Sequence, residues 1–212
     1  MDILEAAERY ITSLAAGDAG GHDHFHALRV RRTAEYLAAR EGADARIAAL
    51  AALLHDADDI KLSPETHATL ANAVSFLRGQ GVPEAEIGRI TRIISQISFG
   101  GTGKTVPDSI EGKCVQDADR LDAIGAVGVA RAFAYGGSRG RAMYDPDEAP
   151  CPDMDAETYR KHVSTTVNHF YEKLFRLRDL MNTETARRIA QQRDAFMRAF
   201  LDEFYAEWNG ER

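Results

Sequence analysis

The stretch Ala48–Leu62, AALAALLHDADDIKL, decides how the rest of the chain is read. From Ile47 to Leu54 it is apolar on every side, the pattern of a helix enclosed by protein rather than one lying on its surface. It then breaks into His55-Asp56 and further carboxylates. An imidazole beside a carboxylate at the end of a buried helix is costly to desolvate unless something pairs with it, and a divalent cation is a common partner. The last carbonyls of such a helix add a negative dipole end that also favours a cation. A His-Asp doublet by itself is more often a hydrogen-bonded pair than a site, so the surrounding sequence has to decide.

Working outward, the pattern is helical throughout. Ile3, Ala7, Tyr10, Ile11 and Leu14 mark an amphipathic helix from Asp2 to about Ala15, and the glycine-rich Gly17 to Gly21 ends it. A second helix is expected from about Asp23, with His26, Val30, Thr33 and Leu37 on one stripe, closed by Gly42; Asp44 then caps the buried helix. Downstream, Ser63-Pro64-Glu65 is a helix-start pattern that predicts a helix to about Leu77. Pro83-Glu84 opens another, whose Ile87, Ile90, Ile93, Ile94 and Ile97 keep helical period until Phe99. A loop over Gly100 to Thr105 leads to a short segment ending at Asp122, then to a helical pattern rich in small residues up to Tyr135.

The stretch Gly136 to Pro152 reads as irregular, of the kind that serves as a lid or stays disordered. Two closing helices are expected over about Ala156 to Met181 and Thr183 to Trp208. In the latter, Phe196, Phe200, Phe204 and Trp208 recur at four-residue steps and read as a core stripe. No alternating run indicates a strand. The expected architecture is all-α, about eight helices in a single domain over residues 1–212.

Composition narrows the function classes. A net charge of -7 argues against a duplex nucleic-acid binder, which needs a basic footprint. Cys114 and Cys151 form neither a metal-binding pair nor a disulfide framework, which suits a reducing compartment. The acidic start MDILEAAERYI lacks a secretory pattern, and no apolar run approaches the ~20 residues of a membrane span. A cytoplasmic protein with no membrane partner is expected.

Three islands of metal-ligand residues stand out: His22-x-His24-x-His26, His55-Asp56, and Asp117-x-Asp119 with Asp122. Each alone is more often structural than functional; together they outline a site for a first-row dication or magnesium. The run Gly100-Gly-Thr-Gly-Lys-Thr105 imitates the end of a phosphate-binding P-loop. It lacks the earlier glycine, where Ser98 stands, and a helix rather than a strand precedes it.

The order His26, His55-Asp56, Asp119, embedded as HxxRV, LLHDADD and DADRLDAIG, resembles the HD-domain superfamily of metal-dependent phosphohydrolases. The segments GHDHFHALRV, IISQISFGG, VQDADRLDAIGAVGVARAFAYGG and NHFYEKLFRLRDLMNTETARRIAQQRDAFM are similar to its small stand-alone bacterial branch, the YedJ/YpgQ type, from Met1 to about Tyr205. The resemblance implies the HD-domain helical fold, with one metal held by His26, His55, Asp56 and Asp119. It also implies a small phosphorylated substrate, with nucleotide pyrophosphohydrolases as the characterised type.

Two imidazoles and two carboxylates would hold one octahedral ion, manganese or magnesium, and leave positions for water and a phosphate oxygen. Asp59 stands where some relatives carry an acid near the attacking water and is a candidate general base. Its alternative is a solvated turn carboxylate. Lys61 and Arg120 are candidates to stabilise phosphate charge, and Arg120 is equally a structural partner for Asp117 or Asp122. His22, one turn before His26, is a candidate outer contact or helix cap. Lys173 is a candidate anion contact or a surface lysine. Two rival functions stand beside hydrolysis of a nucleotide: a regulatory module that binds nucleotide without turnover, and a phosphomonoesterase for a non-nucleotide metabolite. HD proteins that act as dinuclear iron oxygenases carry two further histidines between the doublet and the last aspartate; here only His67 intervenes.

Overall fold

The computed structural model describes residues 2–14, 24–59, 63–97, 105–151, 154 and 162–212. They are helical without a strand, as the periodicity requires. The chain divides into two compact units, one of residues 1–99 and 104–119, the other of residues 100–103 and 120–212.

The first unit is built around the helix that the sequence reading places at its centre. Helices α1 (Ile3–Leu14), α2 (His24–Glu41), α3 (Ala45–Leu54), α4 (Ala71–Gly79) and α5 (Glu84–Ile97) follow in order, and α6 (Ile110–Asp122) belongs to this unit through Asp119. Every residue of α3 from Ile47 to Leu54 is buried, and α1, α2 and α5 pack on it. Its start is fixed by Asp44, whose carboxylate accepts the Arg46 and Ile47 amides at 3.1 Å each. Gly42 stops α2 in the left-handed region, at φ +71°, while the Ala43 amide returns to the Ala38 carbonyl at 2.9 Å. Burying one side of α5 takes Ile87, Ile90, Ile93, Ile94 and Ile97, the five positions the period singles out.

The expected helix from Ser63 starts late. Residues 64–70 form turns, Leu70 takes φ 52°, and α4 begins at Ala71. The reason is a cap from elsewhere in the chain. Asp58, 2 % exposed, accepts the Asn72 and Ala73 amides at 3.0 Å each, and the Asn72 amide group donates to the Ala57 carbonyl at 2.9 Å. A buried carboxylate on two backbone donors overrides the weaker local signal of Ser63-Pro64-Glu65.

In the second unit α7 (Gly125–Ser138) begins after a break at Ala123-Ile124 and continues through Gly136 and Gly137, beyond the expected end at Tyr135. Gly136 is obligatory there, since a Cβ would lie 2.2 Å from Thr166 Oγ1. The expected helix from Ala156 starts at Thr166 in its described part, with Thr165 as its cap; residues 155–161 lie outside the described residues. From there α8 (Thr166–His169), a π-helical turn (Phe170–Leu174), α9 (Phe175–Leu177) and a 3-10 turn (Arg178–Leu180) run on without a break, and α10 (Glu184–Trp208) closes the chain.

Residues 139–151 are held in place rather than loose. Ala142 and Met143 accept the Thr166 and Val167 amides at 3.0 and 2.9 Å, Asn168 donates to the Glu148 carbonyl at 3.0 Å, and Glu172 accepts the Cys151 amide at 3.1 Å. The aromatic stripe of α10 is corrected at its ends: Phe196 and Trp208 are each 47 % exposed, whereas Phe200 and Phe204 are half-buried, Phe200 stacked 6.3 Å from the buried Phe170 ring. The buried line includes Ala186, Ala190, Asp194, Met197 and Leu201. Asp194 tolerates burial because Arg198 donates to it at 2.8 Å.

Candidate metal centre

Three helices of the first unit bring His26, His55, Asp56 and Asp119 to one place. His26 comes from α2, His55 caps α3 with Asp56 next to it, and Asp119 lies near the end of α6. Nε2 of His26 is 3.3 Å from Asp119 Oδ1 and 3.7 Å from Asp56 Oδ2. Nε2 of His55 is 3.3 Å from Asp56 Oδ1 and 3.9 Å from Asp119 Oδ1. Metal-ligand bonds of about 2.1 Å place adjacent ligands roughly 3 Å apart and opposite ones about 4.2 Å apart. Ligand atoms of His26, His55 and Asp56 lie within 4.8 Å of one another, close to the reach of one shared ion.

The chemistry of the donor set fits a cation. Nδ1 of His55 lies 2.7 Å from the Ala52 carbonyl, which can only accept, so Nδ1 carries a proton and Nε2 is the ring nitrogen turned to the cluster. Nε2 lies 3.3 Å from Asp56 Oδ1, a spacing that a proton or a metal ion between the two atoms would stabilise. Fixing the outer nitrogen on a carbonyl is also the usual way a ligand histidine is held in its tautomer. At Asp119, burial works to push the carboxyl up, yet the His26 hydrogen bond and the charges of His55 and His26 outweigh it and hold the group below its ordinary 3.8. The site favours carboxylate together with a positive partner.

The other sequence candidates separate by role. Asp58 is the cap of α4. Asp59 is half-buried, its amide donating to the Asp56 carbonyl at 3.1 Å and its carbonyl accepting the Ser63 amide at 2.7 Å. Arg120 begins the second unit, and its buried guanidinium donates to the Leu180 carbonyl. Asp122 receives Arg131 Nη1 at 2.5 Å, a structural ion pair, and Asp117 is fully buried. His67 lies with Nδ1 2.8 Å from the Asp58 carbonyl. Lys173 is half-buried within the π-helical turn. Lys61, His22 and Gly100 to Lys104 lie outside the described residues. Sequence reasoning missed Asp58 as a cap because its neighbours in HDADD look like ligands; the signal was Asn72, fourteen residues on, ahead of a helical run.

Among the described residues no helix is long and apolar enough to cross a membrane. The family model for the HD domain matches residues 24–124, which contain all four clustered residues. YpgQ of Bacillus subtilis is 39% identical over 206 residues, 95% of this chain and 93% of its own. A crystal structure of a protein from Lactobacillus plantarum is 43% identical with a TM-score of 0.84, over 98% of this chain and 97% of that one. The crystal structure of YpgQ in complex with ADP aligns with a TM-score of 0.77 at 35% identity, over 96% and 97% of the two chains. That of an HD-superfamily hydrolase from Bacillus thuringiensis has the same TM-score at 40% identity, over 97% and 96%. With its four ligand-type side chains gathered on α2, α3 and α6 as the motif order demands, the chain belongs to the HD-domain family, in the small stand-alone branch that includes YpgQ.

Proposed function

We propose that this protein is a phosphohydrolase that uses one divalent metal ion to cleave a phosphoanhydride or phosphoester bond in a small nucleotide, with release of pyrophosphate from nucleoside triphosphates as the leading reaction. The observation that carries the reading is the His55 imidazole, fixed through Nδ1 on the Ala52 carbonyl so that Nε2 faces the carboxylate of Asp56. ADP bound to YpgQ supports a nucleotide as the ligand class. His26, His55, Asp56 and Asp119 would hold the ion, and two imidazoles in the set make manganese a better match than magnesium. A single ion is favoured because His67, the one histidine between Asp56 and Asp119, is engaged with the Asp58 carbonyl.

Bound there, a divalent ion supplies Lewis acidity toward a phosphate oxygen and lowers the pKa of a water. Asp59, on the turn directly after Asp56, would accept the proton of the attacking water as the new bond to phosphorus forms and the bond to the leaving oxygen breaks. Lys61 offsets charge that develops on the phosphate oxygens. Arg120, with its guanidinium on the Leu180 carbonyl, serves as a positioning residue immediately after Asp119. Purified protein supplied with manganese and offered a panel of nucleotides and sugar phosphates tests the proposal. Release of pyrophosphate or phosphate from nucleotides is the expected result. A rise in melting temperature with nucleotide and no product identifies the regulatory binding module instead, and turnover of sugar phosphates alone identifies the phosphomonoesterase.

A further inference from the structure

In the second unit, α7 ends in a turn that fixes the placement of two arginines. Gly140 stands in the left-handed region at φ +67°, the Arg141 amide donates to the Gly136 carbonyl at 2.9 Å, and the Gly140 amide donates to the Gly137 carbonyl at 3.1 Å. These are the paired hydrogen bonds of a Schellman C-terminus, which folds the residue after the glycine back onto the last turn of the helix. Tyr135 stands on that turn, and the Arg141 guanidinium lies over its ring, 5.5 Å from the centroid. Arg139, four residues after Tyr135 and so on the same side of the helix, lies over the same ring at 5.4 Å. The turn is anchored from beyond as well, since Ala142 and Met143 accept the Thr166 and Val167 amides at 3.0 and 2.9 Å. Backbone geometry thus gathers two permanent cations on one aromatic ring.

Nothing offsets their charge. Among the described residues neither guanidinium has a carboxylate or carbonyl partner, and the Tyr135 hydroxyl has no hydrogen bond. Capping of α7 does not occupy them, because the Tyr135, Gly136 and Gly137 carbonyls already accept the backbone amides of residues 139–141. The acids that follow in the chain take other donors. Asp145 Oδ1 accepts the Asp147 amide at 2.9 Å, and Glu148 Oε1 accepts the Thr165 amide at 3.3 Å and the Asn168 side chain at 3.1 Å. Glu172 is likewise committed, with Ser164 Oγ donating to it at 2.7 Å.

We propose that Arg139 and Arg141, held on the Tyr135 ring, form a binding site for a diphosphate-class anion on the second unit. Each guanidinium offers a planar fork that matches two oxygens of a phosphoryl group, and stacking on the ring orders both forks before the anion arrives. A diphosphate carries an oxyanion group at each end, so a single ligand meets both forks, whereas one phosphate ion or one carboxylate satisfies one fork at a time. The Tyr135 hydroxyl adds a donor between them. Seating the anion also removes the mutual repulsion of the two cations. Free pyrophosphate and the phosphate tail of a nucleotide share this chemistry. The site stands on its own residues and does not depend on the metal-centre reading.

The test is calorimetric titration of the full chain, stripped of metal with a chelator, using pyrophosphate, phosphate and ADP as probes. Pyrophosphate should bind about tenfold more tightly than phosphate, and Arg139→Gln or Arg141→Gln should each weaken it by about tenfold. Arg139→Lys, which keeps the charge and loses the fork, should fall between wild type and Arg139→Gln. ADP binding as tightly as pyrophosphate assigns the site to a nucleotide tail, and weaker ADP binding assigns it to the free ion. Absence of pyrophosphate binding, no preference over phosphate, or binding indifferent to both substitutions overturns the proposal. Arg139 is exposed, so Arg139→Gln keeps the test decisive even where Arg141→Gln unsettles the turn. Nucleotide turnover in the metal-loaded protein bears only on the metal-centre reading, so the two can fail separately.

Discussion

His55 donates its Nδ1–H to the carbonyl of Ala52 at 2.7 Å, inside the last turn of the helix that the two residues share. The ring's other nitrogen is thereby committed to the cluster of His26, Asp56 and Asp119. Removing either carboxylate should leave imidazoles that bind metal weakly. Elemental analysis should find near-stoichiometric manganese in the wild type and little in Asp56→Ala or Asp119→Ala, with affinity lowered by at least about a hundredfold. Full metal occupancy in both variants would remove these carboxylates from the ligand set.

Asp59 is offered a different part. Asp59→Asn keeps the size of the side chain and removes its capacity to take a proton, so metal content should stay at the wild-type level while kcat for nucleotide falls by about 10²–10⁴. A variant with unchanged turnover would return Asp59 to the role of a turn carboxylate.

The fold of the first unit was readable because α3 is enclosed and its neighbours bury isoleucine, leucine and alanine at strict helical period, from Ile87 to Ile97 in α5 and from Val30 to Ala38 in α2. What escaped the sequence was set by contacts across the chain. Asp58 moved the start of α4 to Ala71 through a side-chain cap fourteen residues away in sequence, which no local pattern announces, whereas the Thr165 cap at the described start of α8 is a local one, to the Asn168 amide. The α10 stripe misled because aromatic residues at four-residue steps drift around a helix of period 3.6; Asp194, buried against Arg198, broke the assumption that the apolar side is the inner one. The clustered site was legible as an order of His, His-Asp and Asp, but the tautomer of His55 is a backbone fact and needed coordinates.

Asp58 belongs to stability rather than to metal binding. Asp58→Ala strips the acceptor from the Asn72 and Ala73 amides at the start of α4 and should lower unfolding free energy by about 2 kcal/mol, read as a shifted denaturant midpoint. Metal content of the folded variant should match the wild type. A loss of metal without a loss of stability would reverse the assignment.

His169 makes a pH prediction with a definite sign. Its folded pKa, about 4, lies below the ordinary 6.5, so between those values the unfolded chain binds more protons than the folded one. Stability is complete above about pH 6.5 and declines as pH falls toward 4, by on the order of 3 kcal/mol from this group. His169→Gln should flatten that part of the curve of stability against pH. An identical slope in wild type and variant would show that His169 titrates near its ordinary value.

The two sides of α10 should respond oppositely to truncation. Met197 is fully buried, and Met197→Ala removes contacts from a packed interior, a change that should cost about 2–5 kcal/mol in urea unfolding. Phe196, one position earlier and 47 % exposed, has far less area to lose, so Phe196→Ser should stay within about 0.5 kcal/mol of wild type. Were the four-residue aromatic stripe the core, the order would be inverted, with the aromatic ring giving the larger loss and the methionine the smaller. Equal losses would mean that Phe196 is covered in solution by a surface outside the described residues or by another molecule, and sedimentation of the two variants would tell these apart.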